Sequence, residues 1–369
     1  MVDLLSQYKK IQAEVDKVIL DVIHSTAFIN GPEVKSFQAE FEKYLGVKHV
    51  IPCANGTDAI QISMMALGLK PGDEVITANF TFVATAEVIA LLGLKPVLVD
   101  VYPHTFTINT EAIEKAITPK TKAIVPVHLF GQAAEMDAIM EIAKKHNLFV
   151  IEDNAQAIGA DYTLTGGKTV KAGTIGHVGC TSFFPSKNLG CYGDGGAIFT
   201  NDDELAKKLR MVCNHGSSVQ YYHDEIGVNS RLDSMQAAVL RIKLPYLDEY
   251  AAARQRAAAF YTQAFASNPK IKTPARSKNS THVFHQYTLV LNDVDRSKLR
   301  ENLANKGIPA MIYYPVPLHL QKAYKDVRYK EGDFPVTEKL CASVLSLPMH
   351  TELDEETLNY ITSSVLEAL

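Results

Sequence analysis

The stretch Phe149-Val150-Ile151-Glu152-Asp153-Asn154-Ala155-Gln156 opens with consecutive apolar residues and ends in carboxylates and amides. A short run of this kind, rich in β-branched and aromatic side chains, is what a strand buried on both faces requires. The runs Glu74-Val75-Ile76-Thr77, Pro96-Val97-Leu98-Val99-Asp100, Ala123-Ile124-Val125-Pro126-Val127 and Ala197-Ile198-Phe199-Thr200 share that character. Helical stretches lie between them, for example 84–92 and 136–146. The alternation predicts a doubly wound α/β fold with a mostly parallel central sheet, whose ligands bind outside the carboxyl ends of the strands. A helix over 202–213 should be capped by Asn201 or Asp202. A longer helical run over 234–265, broken at Pro245, precedes a different pattern: a strand at 286–290, a helix, a strand at 311–314 and a final helix. This divides the chain into a large domain over 1–249, with its N-terminal helix, and a smaller α+β domain over 250–369.

Bulk composition narrows the function. With 369 residues, 47% of them hydrophobic, the chain can bury a sizeable core. A net charge of −4 with no basic run gives no footprint for nucleic acid. The five cysteines (Cys53, Cys180, Cys191, Cys213, Cys341) show no C-x-x-C spacing, so neither a disulfide framework nor a metal site is expected and a reducing cytoplasm fits. Leu4, Leu5, Tyr8, Ile11, Val15, Val18, Ile19, Val22 and Ile23 recur at helical spacing among charges. That reads as an amphipathic helix packed on a core or a partner, with no membrane span and no signal peptide.

The strand ends carry the candidate chemistry. Thr181-Ser182-Phe183-Phe184-Pro185-Ser186-Lys187-Asn188-Leu189-Gly190 is a strand-like run that stops at a lysine. Desolvation disfavours an ammonium, so such an amine can be partly neutral near pH 7 and attack a carbonyl to give a Schiff base. Taken alone, a lysine in a Pro/Ser/Asn/Gly turn is an ordinary solvated residue. Ile51-Pro52-Cys53-Ala54-Asn55-Gly56-Thr57-Asp58 passes from a strand into a helix, where Gly56 permits close approach of an anion, Thr57 adds a hydroxyl and the helix N-terminus adds partial positive charge. A plain capped helix start has the same look. Asp153 at its strand end is placed to hold a cationic ring nitrogen, or to cap a helix. Phe82 suits stacking on a flat ring or packing in a core. Ser182 offers a second hydroxyl to the anion.

Several motif fragments carry nothing. Gly166-Gly167-Lys168-Thr169 lacks the first glycine of a P-loop, where Tyr162 stands, and Gly193-Asp194-Gly195-Gly196 leads into a strand. His282-Val283-Phe284-His285 has no adjacent Glu for hydrolytic metal chemistry.

Taken together, Gly56-Thr57, Asp153 and Lys187 form an ordered set on successive strand ends. With that set, the stretches Asn30-Gly31-Pro32-Glu33-Val34, Ala54-Asn55-Gly56-Thr57-Asp58-Ala59, Thr81-Phe82-Val83-Ala84-Thr85, Glu152-Asp153-Asn154-Ala155-Gln156, Ser182-Phe183-Phe184-Pro185-Ser186-Lys187 and Gly227-Val228-Asn229-Ser230-Arg231-Leu232-Asp233 closely resemble the DegT/DnrJ/EryC1/StrS sugar-nucleotide aminotransferases. The likeness runs almost end to end. It implies the PLP-dependent transferase fold type I (aspartate aminotransferase-like), pyridoxal 5'-phosphate (PLP) as cofactor, a nucleotide-sugar substrate with an amino-acid donor, and a homodimer sharing its active sites. By matched positions, Lys187 would carry the cofactor and Asp153 would face its ring nitrogen. Gln156 would touch the ring hydroxyl and Phe82 would stack on the ring. Gly56, Thr57 and Ser182 would hold the phosphate, with Asn229 reaching in from the other subunit. Arg231, also from the partner, and Tyr313 and Tyr314 would face the sugar nucleotide. The family often has His-Tyr where this chain has Tyr313-Tyr314.

The motifs look most like the branch that aminates UDP-linked 3-keto sugars, a uronate foremost, for surface polysaccharide. Arg231 would then suit the sugar carboxylate. A 4-keto-deoxysugar aminotransferase is the alternative within the family. The family's dehydratases carry histidine at the position of Lys187, and a non-catalytic binding protein would have no need of Lys187, Asp153, Gln156 and Ser182 together.

Overall fold

The computed structural model describes residues 1–369. In chain order come α1 (Leu4–Ser25), α2 (Pro32–Leu45), β1 (His49–Cys53), α3 (Gly56–Ala66), β2 (Glu74–Ala78), α4 (Ala84–Leu91) and β3 (Lys95–Val99). Then follow α5 (Thr110–Ala116), β4 (Thr121–Val125), α6 (Met136–His146), β5 (Phe149–Asp153), a hairpin of β6 (Asp161–Thr163) and β7 (Thr169–Lys171), β8 (Val178–Ser182) and β9 (Gly196–Thr200). After α7 (Asp203–Cys213) come the hairpin of β10 (Ser217–Val219) and β11 (Tyr222–His223), then α8 (Ser234–Lys243) and α9 (Leu247–Phe265). The remainder is β12 (Ile271–Lys272), β13 (Tyr287–Leu291), α10 (Arg296–Asn305), α11 (Pro335–Ser343), β14 (Val344–Leu347) and α12 (Glu355–Glu367).

Seven strands form the central sheet in the order β1-β9-β8-β5-β4-β2-β3. Every pair from β8 to β3 is parallel, while β9 runs antiparallel to both β8 and β1. The sheet is α/β and mostly parallel, as expected; its one reversed strand, β9, reads in sequence like its parallel neighbours because it too is buried throughout. Two-residue periodicity assigns the faces. Ile76, Ile124 and Val150 point into one core with Ile113 of α5 and Met136 and Ile139 of α6. Val75, Val125 and Ile151 point into the other, with Ile60 and Ile62 of α3, Ile89 of α4 and Leu209 and Val212 of α7. The side chain of Asp202 caps α7 by accepting from Glu204 and Leu205 N–H, which decides between the two expected caps.

Pro245 does interrupt the long helical run: α8 stops at Lys243, one 3₁₀ turn spans Leu244–Tyr246, and α9 starts at Leu247. Leu247 and Ala251 of α9 belong to the cores beside the large sheet. Ala257, Ala258, Tyr261 and Phe265 of the same helix cover the three-stranded sheet β12-β13-β14 with Leu299, Leu345 and Ile361. The strand expected over 311–314 does not form. Met311 makes a single bridge to Ser346, after which the chain turns back toward the large sheet and packs Tyr313 and Tyr314 against its core. No helix is long and apolar enough to cross a membrane. Helix α1 lays Ile11 and Val15 on Val239 of α8 and leaves Leu5, Leu20 and Ile23 exposed.

Close approach at the strand ends rests on glycine. A Cβ at Gly179 would lie 2.0 Å from the Gly173 carbonyl oxygen and 2.2 Å from the Phe199 ring. Backbone cannot yield there, so Gly179→Ala should cost about 3 kcal/mol by overpacking and lower the thermal midpoint. Gly166→Ala, which meets nothing within 4 Å, should stay within about 0.5 kcal/mol of the parent. Thermal unfolding of the two variants side by side checks the contrast.

Candidate active site

Asp153 ends β5 and is 7% exposed. Its Oδ2 accepts from Thr85 Oγ1 at 2.8 Å and its Oδ1 from Ala155 N–H at 3.1 Å. Thr85 lies in the first turn of α4. A turn, and no helix, follows β5, so Asp153 caps no helix. Its neighbour Glu152 is fully buried and points to the other face. Glu152 Oε1 accepts from Ile175 and Gly176 N–H at 2.6 and 2.5 Å, and Oε2 from Gly173 N–H at 2.8 Å. His128 completes the set. Ala134 N–H donates to His128 Nδ1 at 3.2 Å, which leaves the ring proton on Nε2, facing Glu152 Oε2 at 2.8 Å. Strand β5 is thus clamped at the residue before Asp153.

Strand β8 pairs in parallel with β5, placing Cys180 opposite Asp153 and Ser182 just beyond it. After Ser182 the chain makes a loop closed by the bond from Cys191 N–H to the Phe183 carbonyl at 2.8 Å. Lys187 sits in that loop, its own N–H bonded to the Phe184 carbonyl at 2.8 Å. The side chain is half-buried. Desolvation pulls the amine pKa down to about 8, against the opposite pull of the Asp153 carboxylate. Lys187 and Asp153 therefore sense one another across the strand ends, and the amine is deprotonated far more readily than a surface lysine.

Helix α3 starts beside them. Asn55, rather than Thr57 or Asp58, is its cap, accepting from Asp58 N–H at 2.8 Å. The N–H groups of Gly56 and Thr57 find no acceptor within the chain. A Cβ on Gly56 would stand 2.7 Å from the Ser182 Cβ, so helix start and strand end touch at this point. Gly196 is as tightly required, since its Cβ would fall 2.4 Å from the Asn55 carbonyl. Ser182 Oγ accepts from Phe184 N–H at 3.2 Å and keeps its own proton to donate. Two free N–H groups at a helix N-terminus with a hydroxyl against them form an anion cradle.

Gln156 lies on the other side of Asp153 and is 6% exposed. Its Oε1 accepts from Phe130 N–H at 2.8 Å and its Nε2 faces the Tyr314 hydroxyl at 3.1 Å. Burial raises the Tyr314 pKa. The Tyr314 ring sits 6.4 Å from Phe130, nearly parallel to it, with Phe80 at 5.9 Å and Phe82 at 6.4 Å. Phe82 itself is 54% exposed and open to the cleft rather than part of a core. Tyr313 is half-buried beside Tyr314. Within the protomer Asn229 and Arg231 stand apart from this cluster. Asn229 is exposed in a single bridge with Asn214, and Arg231 lines a separate cavity of about 340 Å³ with Lys35 and Arg210. Between them Ser230 turns inward, accepting from Ala54 N–H at 3.0 Å and facing Asp58 at 2.7 Å.

Thr85, His128 and Glu152 were not among the residues singled out from sequence as site residues. Thr85 and Glu152 sit inside quoted motifs, but a hydroxyl at a helix start and a second acid in a strand carry no local signal. His128 follows Val127 and looks like a strand end. Only the packed structure turns its ring toward Glu152.

A readily deprotonated amine, an oriented carboxylate across from it and an anion cradle fit PLP, whose aldehyde, ring nitrogen and phosphate need those three partners. Comparison with known proteins agrees. The DegT/DnrJ/EryC1/StrS aminotransferase family model matches residues 9–366. A Geobacillus stearothermophilus protein named pleiotropic regulatory protein is 50% identical over 369 residues, covering 100% of this chain and 97% of the relative. The Pseudomonas aeruginosa UDP-2-acetamido-2-deoxy-3-oxo-D-glucuronate aminotransferase is 46% identical, covering 99% and 98%. The Streptomyces venezuelae dTDP-3-amino-3,4,6-trideoxy-alpha-D-glucose transaminase is 41% identical, covering 99% and 94%. Among solved structures, a DegT DnrJ EryC1 StrS aminotransferase from Brucella abortus superposes with a TM-score of 0.94 at 44% identity, covering 99% of this chain and 98% of that one. NtdA from Bacillus subtilis, solved with bound PMP, gives 0.90 at 33% identity, covering 97% and 82%. The chain belongs to the DegT/DnrJ/EryC1/StrS aminotransferase family, pyridoxal-phosphate-dependent enzymes of fold type I.

Proposed function

We propose that this aminotransferase moves the amino group of L-glutamate to the C3 ketone of a UDP-linked sugar or uronate, in the cytoplasm, for surface polysaccharide. The observation that carries the chemistry is the Lys187 amine, with its pKa near 8, acting across from Asp153. The P. aeruginosa and S. venezuelae relatives support C3, since both names place the reaction at that carbon. Their nucleotides differ; the higher identity of the first favours UDP.

When bound, PLP supplies an aldehyde for amine exchange and a ring that draws in the electron pair of a broken C–H bond. Lys187 would hold the cofactor through its amine and, once freed by the incoming donor, would take the proton from the α-carbon of the donor. In the second half it returns a proton to the sugar carbon that receives the amine, which sets the stereocentre. Asp153, oriented by Thr85 and Ala155, would face the ring nitrogen and keep it protonated. Gly56, Thr57 and Ser182 would hold the phosphate, Phe82 would cover the ring and Gln156 would meet its hydroxyl. Tyr313 and Tyr314 face the substrate. Asn229 and Arg231 serve the neighbouring subunit of a homodimer, which accounts for their distance from Lys187 within one protomer. In that arrangement Arg231 pairs with the sugar carboxylate bidentately.

Incubation with L-glutamate and a panel of 3-keto and 4-keto nucleotide sugars, with product regiochemistry by NMR, tests the reading. Amination at C4, or none with any sugar, would overturn the substrate assignment. Lys187→Ala should lower turnover by at least about 10²–10⁴-fold; retained turnover with a ketosugar would sink the assigned role.

The cradle and the amine make separate predictions. Gly56→Ala pushes a methyl toward Ser182 and should weaken cofactor retention on dialysis while leaving the fold intact by circular dichroism. Because the neutral form of Lys187 grows as pH rises through about 8, capture of PLP by cofactor-stripped protein should speed up about tenfold between pH 7 and pH 9. Borohydride trapping followed by mass spectrometry measures it. A rise of about a hundredfold would place the amine in solvent at its ordinary pKa, and a flat profile would place its pKa below this range; either overturns the prediction.

A further inference from the structure

Lys243, the last residue of α8, is 1% exposed, and no carboxylate lies within ion-pair distance of it. Its Nζ donates to the Gly190 carbonyl at 2.8 Å and stands 4.4 Å from the centre of the Tyr192 ring. Burial depresses its pKa to about 8. Filling this space is work that a methionine or leucine does without burying an amine, and burial of an ammonium lacking a counter-charge is unfavourable. The amine is explained by what it touches.

Those contacts fall on the segment that leaves Lys187. Gly190 admits no side chain, because a Cβ there would lie 2.4 Å from the Pro185 carbonyl oxygen, so the two ends of the Lys187 turn are pressed together. The Gly190 carbonyl needs a donor, and Lys243 provides it. Two turns earlier on the same helix face, Gln236 Oε1 accepts from Tyr192 N–H at 2.8 Å, and a Cβ on Gly193 would lie 3.0 Å from Gln236 Nε2. On the opposite side of the loop Asn188 Nδ2 donates to the Val283 carbonyl at 2.9 Å. Helix α8 thus grips the chain at Gly190 and Tyr192 while the Val283 carbonyl holds Asn188, and Lys187 directly precedes these anchors.

We propose that Lys243 is a positioning residue for amino transfer, seating the Gly190 carbonyl and the Tyr192 ring so that the loop over 184–190 keeps Lys187 aimed at Asp153. The inference rests on the role assigned to Lys187. It assigns Lys243 no contact with substrate or cofactor. A reacting group displaced by a fraction of an ångström loses rate far more than it loses substrate affinity.

The test uses the holoenzyme with glutamate as donor and the ketosugar it turns over. In Lys243→Met the stem is kept and the donor removed. Its kcat per bound cofactor should fall by about 10-fold to 10²-fold with KM changed less than about threefold. The pH at which the absorbance of the bound cofactor changes should move as well. Lys243→Gln, whose amide stops one atom short, should lose less. Parental kcat and an unmoved absorbance titration in folded Lys243→Met would overturn the proposal, as would loss of thermal stability with kcat per bound cofactor unchanged. Should the methionine variant not fold, Lys243→Gln decides by the same two readouts, parental values again overturning it. Lys187→Ala runs alongside. Activity in that variant would sink the functional reading itself, whereas an inactive Lys187→Ala beside a parental Lys243→Met would sink this inference alone.

Discussion

Glu152 carries a carboxylate with no solvent contact, and the site is arranged around the need to satisfy it. An unpaired charge in that position would be prohibitively costly. Three backbone N–H groups from the segment 173–176 and the ring of His128 answer it. Those bonds draw the connection into β8 against the end of β5 and set the spacing between the two strands. Asp153, the next residue, points to the opposite face because strand side chains alternate. One buried acid therefore holds in place the strand end that carries the second, Asp153.

A second constraint is steric. The start of α3, the end of β8 and the start of β9 meet where Gly56 and Gly196 leave no room for a Cβ. Backbone N–H groups can then converge on one anion, which side chains alone would crowd out. Desolvation does the rest: the same crowding that excludes water from the strand ends lowers the Lys187 pKa to about 8. Packing and reactivity here are one effect seen at two levels.

The two depressed lysines divide the labour differently. Lys187 senses the Asp153 carboxylate, and desolvation makes its amine ready to lose a proton. Lys243 faces a carbonyl and an aromatic ring inside the protein. Substrate choice belongs to neither. The proposed substrate contacts lie elsewhere, at the aromatic group around Tyr314 and at Arg231, which lines a separate cavity with Lys35 and Arg210.

Much of the fold was legible in the chain, because burial on both faces forces continuous apolar strands and because Pro245 and Asp202 act locally on helices. Lys187, Asp153, Gly56 and Ser182, members of the candidate site, were legible as motifs at strand ends, and the structure brings Lys187 near Asp153 and Gly56 against Ser182. Other features were not. The reversed direction of β9 leaves no mark on a strand buried throughout, and 311–314 has strand-like residues but finds only one bridge partner at Ser346. Thr85, His128 and Lys243 have no local signal, since each acquires its partner from a segment far away in the chain or across a helix. The sequence by itself determined which residues form strands and helices and which reactive side chains stand at their ends, because periodicity and turn chemistry are local. Only the tertiary structure decided the Lys187 pKa, the His128 tautomer and the burial of Lys243, because desolvation and hydrogen bonding depend on what packs alongside.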